Sequence, residues 1–190
     1  RLHPEHSKTA LVLPGGGARG ACQVGVLRAI AEMVPHRCEN PFPVISGTSA
    51  GAINSVVLAS KARRFRVAVA ELERVWGHFH TEQVYRADSL TMLKSSLQWC
   101  GTIGSGGLLV RTPRSLRDNS PLRALLSRNI RFPRIQKSID DGYLHALAVT
   151  AAGYGSARSL SFFQAAPGCQ AWSRTRRSGV RQAIHLDHLM

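Results

Sequence analysis

Apolar and polar positions along the chain fall into short blocks whose period changes. Lys8 to Pro14 (KTALVLP) is a compact apolar run entering three glycines, the pattern of a short buried strand. From Gly20 onward Val24, Leu27, Ile30, Ala31 and Val34 recur at helical spacing, and Pro35 stops the helix they predict. Pro43 to Ser46 (PVIS) reads as a second strand, and Ala50 to about Ser60 as a largely buried helix. Lys61 to Arg66 is a basic segment, and Val67 to Phe79 has an amphipathic helical pattern. Strand, helix, strand, helix at this pace predicts a βαβ unit with parallel strands.

Downstream, Asp88 to Trp99 is expected to be a helix capped by Asp88, and Gly-rich Cys100 to Gly107 a loop. Ser120-Pro121 suits a helix start, with Ser as cap and Pro in the first turn, and Leu122 to Ser127 continues it. Tyr143 to Ala151 and Arg158 to Gln164 are expected to be strands joined by a turn at Gly153 to Ser156. The stretch Ser173 to Arg181 is marked only by Arg174, Arg176, Arg177 and Arg181. Residues 1–7 are polar and expected to be loose. No repeat and no linker divides the remainder, so one domain over residues 8–190 is expected.

Composition adds a charge. The 190 residues hold 25 Lys plus Arg against 11 Asp plus Glu, a formal +14. Such a field attracts polyanions and anionic lipid surfaces, although a merely solvated basic surface would look the same. Aromatic residues make up only 6% and no nucleic-acid-binding motif is visible, so a nucleic-acid partner is not expected. Cys22, Cys38, Cys100 and Cys169 form no CxxC pair, which suggests neither a zinc site nor a redox motif, and a reduced, cytoplasmic setting is expected. No apolar run approaches the ~18 residues of a membrane span. No signal peptide is visible, but the chain begins with Arg1, so that observation excludes little.

Two motifs carry chemistry. Gly15-Gly16-Gly17-Ala18-Arg19-Gly20 follows the first strand and opens the first helix. Backbone N–H groups in such a turn, helped by the helix dipole, attract a phosphate or a reaction oxyanion. Alone, the pattern also fits a dinucleotide-binding loop or a structural turn. A dinucleotide loop calls for an acidic residue about 20 positions on, at the end of the next strand. Glu39 has the distance but precedes that strand. The second motif, Gly47-Thr48-Ser49-Ala50-Gly51, is a G-x-S-x-G nucleophile elbow in strand–turn–helix context. It holds the Ser49 hydroxyl at the apex of a tight turn, beside the Ala50 N–H.

PGGGARG followed by GTSAG resembles the patatin-like phospholipase family, particularly its bacterial members, most specifically over residues 8–60. The resemblance implies a three-layer α/β/α sandwich with a mainly parallel central sheet. It implies a lipid acyl hydrolase of phospholipase A or lysophospholipase type, and a Ser–Asp dyad in place of a triad. Ser49 would be the nucleophile, and residues 15–20 with Ala50 the oxyanion hole. Arg19 matches the basic residue usual in that loop. No metal or organic cofactor is implied. The substrate would be a phospholipid or other lipid ester, met at an anionic membrane surface. A dyad needs no histidine base, and none of the eight His sits in a motif expected of one. His145, inside an apolar strand, is expected to be a core or edge residue.

The family's catalytic Asp lies in a D-G-G or D-G-A motif, which this chain lacks. Asp141-Gly142 is followed by Tyr143 and reads as a turn, leaving Asp141 a weak candidate; Asp187 is weaker. The expectation is a domain incomplete at its C-terminus. A catalytically inactive module that binds lipid or a protein is the alternative, because a serine hydroxyl is a poor nucleophile without a base.

Overall fold

The computed structural model describes residues 9–77, 120–153 and 156–190. The chain divides into two compact units, residues 1–77 with 129–190, and residues 78–128. The expected helix at 88–99 and loop at 100–107 lie outside the described residues, as does the segment 1–7.

The first unit opens as the periodicity predicts. Strand β1 (Ala10–Leu13) leads through a 3-10 turn (Gly17–Arg19) into α1 (Gly20–Met33). Strand β2 (Val44–Thr48) leads through Ser49 into α2 (Ala50–Ser60), and α3 (Phe65–Gly77) follows. Helix α1 buries Val24, Leu27 and Ala31 and ends before Pro35, whose ring takes the place of the N–H that a further helical bond would need. The Arg66 guanidinium donates to the Glu32 and Val34 carbonyls, at 3.2 and 2.9 Å, and so satisfies groups that a helix end leaves open.

Helix α4 (Ser120–Asn129) begins at the predicted Ser-Pro signal and belongs mostly to the second unit. Helix α5 (Pro133–Asp140) was not anticipated: its only apolar pair is Ile135 and Ile139, one turn apart and both buried. Strands β3 (Ala146–Gly153) and β4 (Arg158–Ala165) form the expected pair, and the Ser156 N–H bonds the Gly153 carbonyl in the turn between them. Strand β3 starts three residues later than the pattern suggests. The Tyr143 and Leu144 N–H groups both donate to the Ser138 carbonyl, so those residues close the end of α5 instead. His145 precedes the strand and is exposed, not part of the core.

Strands β5 (Trp172–Arg174) and β6 (Arg177–Arg181) form a hairpin in the arginine-marked stretch, with Arg176 at φ 59 in its turn. The sheet order is β1-β2-β3-β4-β6-β5. Pairs β1–β2, β2–β3 and β4–β6 are parallel; β3–β4 and β5–β6 are antiparallel. This mostly parallel mixed sheet flanked by helices is the expected α/β architecture.

Register fixes which face carries the core. Leu13, Gly47, Val149 and Phe162 lie in one row across four strands, with Leu11, Ile45, Leu147 and Gln164 as a second row on the same face. Helix α2 lies against this face, and every one of its residues is buried. Helix α5 reaches the same face, where Gln164 donates to Gln136 at 2.8 Å. On the opposite face Val12 is 70% exposed. Among the described residues no helix is long and apolar enough to cross a membrane.

Candidate active site

The site forms where β1 and β2 end side by side. Being parallel, the two strands deliver the loops 14–20 and 47–51 to the same edge of the sheet. Glu39 precedes β2 and so lies toward the opposite edge, which removes the acidic partner a dinucleotide loop would use.

Ser49 caps α2 with φ 54 and ψ −123 and is exposed. A non-glycine residue at positive φ is uncommon and costs about 1–3 kcal/mol, and such strain concentrates at functional turns. The turn is held by its first helical bonds, with the Ala52 and Ile53 N–H groups donating to the Ser49 carbonyl at 2.9 and 3.3 Å. Both flanking glycines are required by space. A Cβ at Gly47 would overlap the Gly51 carbonyl and the Ser55 hydroxyl, and a Cβ at Gly51 would overlap the Leu13 carbonyl. Glycine at 51 thus lets the first turn of α2 rest on the end of β1.

The glycine loop meets the serine directly. A Cβ at Gly15 would lie 3.2 Å from the Ser49 Cβ and 3.9 Å from its Oγ. Gly17 has φ +55, a conformation that side chains resist, and the Arg19 side chain lies over Gly16. The structure therefore brings together Gly15, Ser49 and the residues flanking each. Gly20, which opens α1, is packed so tightly that a Cβ there would stand 3.0 Å from that of Ala50.

Sequence reasoning missed the side chains that lock this loop. The Gln23 amide donates to the Pro14 carbonyl at 2.7 Å. Asn54, fully buried in α2, donates from Nδ2 to the Gly20 carbonyl at 3.1 Å and to Gln23 Oε1 at 2.9 Å. Its Oδ1 accepts from the Trp76 indole N–H at 2.7 Å. Both ends of the glycine loop, Pro14 and Gly20, are thereby tied to α2. The available signal was a lone asparagine in an otherwise small and apolar helix, AGAINSVVLAS.

The acidic candidates lie elsewhere. Asp141 caps α5 and pairs with Lys137 at 3.2 Å. It lines a cavity with Ser60 and Lys61, at the end of α2 remote from Ser49. An 11-residue helix separates the two ends by about 16 Å. Asp187 sits in a 3-10 turn (Leu186–His188) whose His185 and His188 rings stack, with His188 also against Phe162. Among the described residues no carboxylate is hydrogen-bonded to Ser49, and no group of three acidic, His or Cys side chains could hold a metal ion. Cys22, Cys38 and Cys169 are free thiols.

The rat protein "Patatin-like phospholipase domain-containing protein 7" is 39% identical over 82 residues, which is 43% of this chain and 6% of that protein. "Lysophospholipase nte1" of Aspergillus terreus is 48% identical over 52 residues, 27% of this chain and 3% of the fungal one. The chain thus spans only a small fraction of these relatives. A chain of the ExoU–SpcU complex from the type III secretion system of Pseudomonas aeruginosa is 21% identical, with a TM-score of 0.36 over 81% of this chain and 32% of that one. The profile of patatin-like phospholipases matches residues 11–184, from the middle of β1 to the segment beyond β6. With that match over nearly its whole length, the chain belongs to the patatin-like phospholipase family.

Proposed function

We propose that the chain is a serine acyl hydrolase of lipid esters, of phospholipase A or lysophospholipase type. The observation that carries this reading is Ser49 at φ 54, exposed, with Gly15 packed against it. Ser49 Oγ attacks the ester carbonyl carbon and gives its proton to a base. N–H groups of residues 15–20 and of Ala50 stabilise the oxyanion. The carbon–oxygen bond to the leaving group then breaks as the base returns that proton to the departing alcohol oxygen, leaving an acyl-Ser49 that water hydrolyses. Asn54, Gln23 and Trp76 position the loop. The +14 charge supports peripheral contact with anionic lipid surfaces.

A fluorophosphonate probe tests the nucleophile. The adduct should map to Ser49 by mass spectrometry and vanish in Ser49→Ala; labelling that survives this substitution would refute the assignment. Gly17→Val, read on the folded fraction, should slow labelling about 10²–10³-fold, the usual effect of losing one oxyanion donor.

A second reading is favoured by one specific observation, the lack of a carboxylate hydrogen-bonded to Ser49 among the described residues. It is an inactive module that still binds lipid or a protein. The same probe separates the two: wild-type protein that stays unlabelled while folded is the inactive module.

A further inference from the structure

The end of α2 remote from Ser49 opens on a cavity of about 430 Å³, lined by Lys61, Arg63, Arg64, Arg134, Lys137 and Asp141 among others. Five cations face one carboxylate there. Asp141 is engaged by Lys137, and Lys61 is held at 3.0 Å by Glu71, which also takes Arg74 at 2.9 Å. Arg63, Arg64 and Arg134 form no ion pair with an acidic side chain among the described residues. An adjoining recess of about 190 Å³ shares Lys61 and Arg134 and adds Arg131.

Uncompensated like charges around a concavity repel one another, and the low-dielectric walls focus their field into it. The backbone adds to that field. Arg64 and Val67 lie at the start of α3, whose first turn holds no acidic residue, so the positive end of its dipole faces the same space. The opposing carbonyls at the end of α2 are partly quenched, since the Leu58 and Ala59 carbonyls accept from the Lys61 and Ala62 N–H groups. Guanidinium forks match the paired oxygens of a phosphate group. The volume is in the range of ligand pockets and exceeds what a bare phosphate fills.

We propose that this cavity binds a phosphate-bearing anion, either the headgroup of an anionic phospholipid or a free organic phosphate or diphosphate. Neither Ser49 nor the 15–20 loop lines it, so the proposal stands whether or not Ser49 is acylated.

The test uses two probes at physiological salt: inorganic pyrophosphate by calorimetry, and phosphatidylcholine vesicles doped with phosphatidic acid by co-sedimentation. Two triple variants remove equal charge. One is Arg63→Ala, Arg64→Ala, Arg134→Ala at the cavity; the other is Arg174→Ala, Arg176→Ala, Arg177→Ala on the exposed hairpin. The cavity triple should lose at least about 100-fold in affinity, as expected from two lost charge-assisted hydrogen bonds. The hairpin triple should lose less than about threefold, since exposed distant charges are screened. Both probes bound with that dependence identify the phosphate itself as the ligand, whereas vesicles alone bound with it identify a lipid headgroup. Equal losses in the two triples reduce the effect to bulk charge and overturn the proposal. So does a failure of both probes to bind at millimolar concentration. If the cavity triple melts early, Arg134→Glu alone is read by the same criterion.

Discussion

The two ends of α2 are built in opposite ways. At the Ser49 end the backbone is strained, glycines bring strand and helix into direct contact, and a buried amide network ties the adjoining loop down. At the Ser60 end the side chains are long and cationic, and they surround open space. The first end is shaped by close contact between backbones, while the second is an opening rimmed by cationic side chains. A substitution at the first end should therefore alter the fold and the nucleophile together. At the second it should alter ligand binding alone.

The largest expected effect is at the packed end. Gly51→Ala places a methyl group on the Leu13 carbonyl and should cost about 3 kcal/mol or more, because backbone cannot yield as a side chain can. In a chain of this length that is a fall of roughly 6–12 °C in melting temperature, readable by circular dichroism. A variant that melts with the parent would break the contrast.

Next is Asn54→Ala, which removes the bonds that Asn54 makes to the Gly20 carbonyl, to Gln23 Oε1 and to the Trp76 indole N–H. Each lost hydrogen bond costs about 0.5–1.5 kcal/mol, so a loss near 2 kcal/mol is expected from the set, with a shift in Trp76 fluorescence. Fluorophosphonate labelling of the folded fraction should also slow, since the loop is no longer fastened. Unchanged labelling would reduce the network to a packing role.

At the open end, Arg63→Ala with Arg64→Ala should move stability by no more than about 0.5 kcal/mol, as for most exposed positions, and leave labelling of Ser49 unchanged. A larger loss would mean that these arginines serve the fold.

The smallest effect lies off both ends. Burial first, then the neighbouring His185, holds His188 below its ordinary 6.5, although the His185 backbone and Asp187 act the other way. The folded state thus binds the proton less readily than the unfolded chain. Its contribution is intact above pH 6.5 and falls away as pH drops through that value toward the lower folded pKa. A proton NMR titration of the imidazole should show a midpoint under 6.5, and a midpoint at or above it would refute the direction.

Legibility followed the range of the interactions. The β1–α1–β2–α2 run, the elbow and the 15–20 loop were readable because each rests on local period or local turn chemistry. The β5–β6 hairpin was not, since its turn runs through Thr175 and Arg176 and carries no Asn-Gly or Gly signal. Helix α5 hid behind its charged residues, with Pro133 at its start as the one available cue. The Asn54 network joins residues 22, 31 and 34 positions apart, and nothing in a local window announces such partners. The placement of Asp141 was equally hidden, because it depends on how α5 docks on α2.

The pairing of β2 with β3 also sets a timetable. Val44 meets Ala146 across roughly a hundred residues, and a ribosome needs about 5–20 s to supply them. Throughout that interval β2 has β1 on one side and an unpaired edge on the other, with Ile45 not yet covered by Leu147. Such an edge is a template for wrong pairing, so the serine-bearing half of the nascent chain carries an open strand edge until β3 is made.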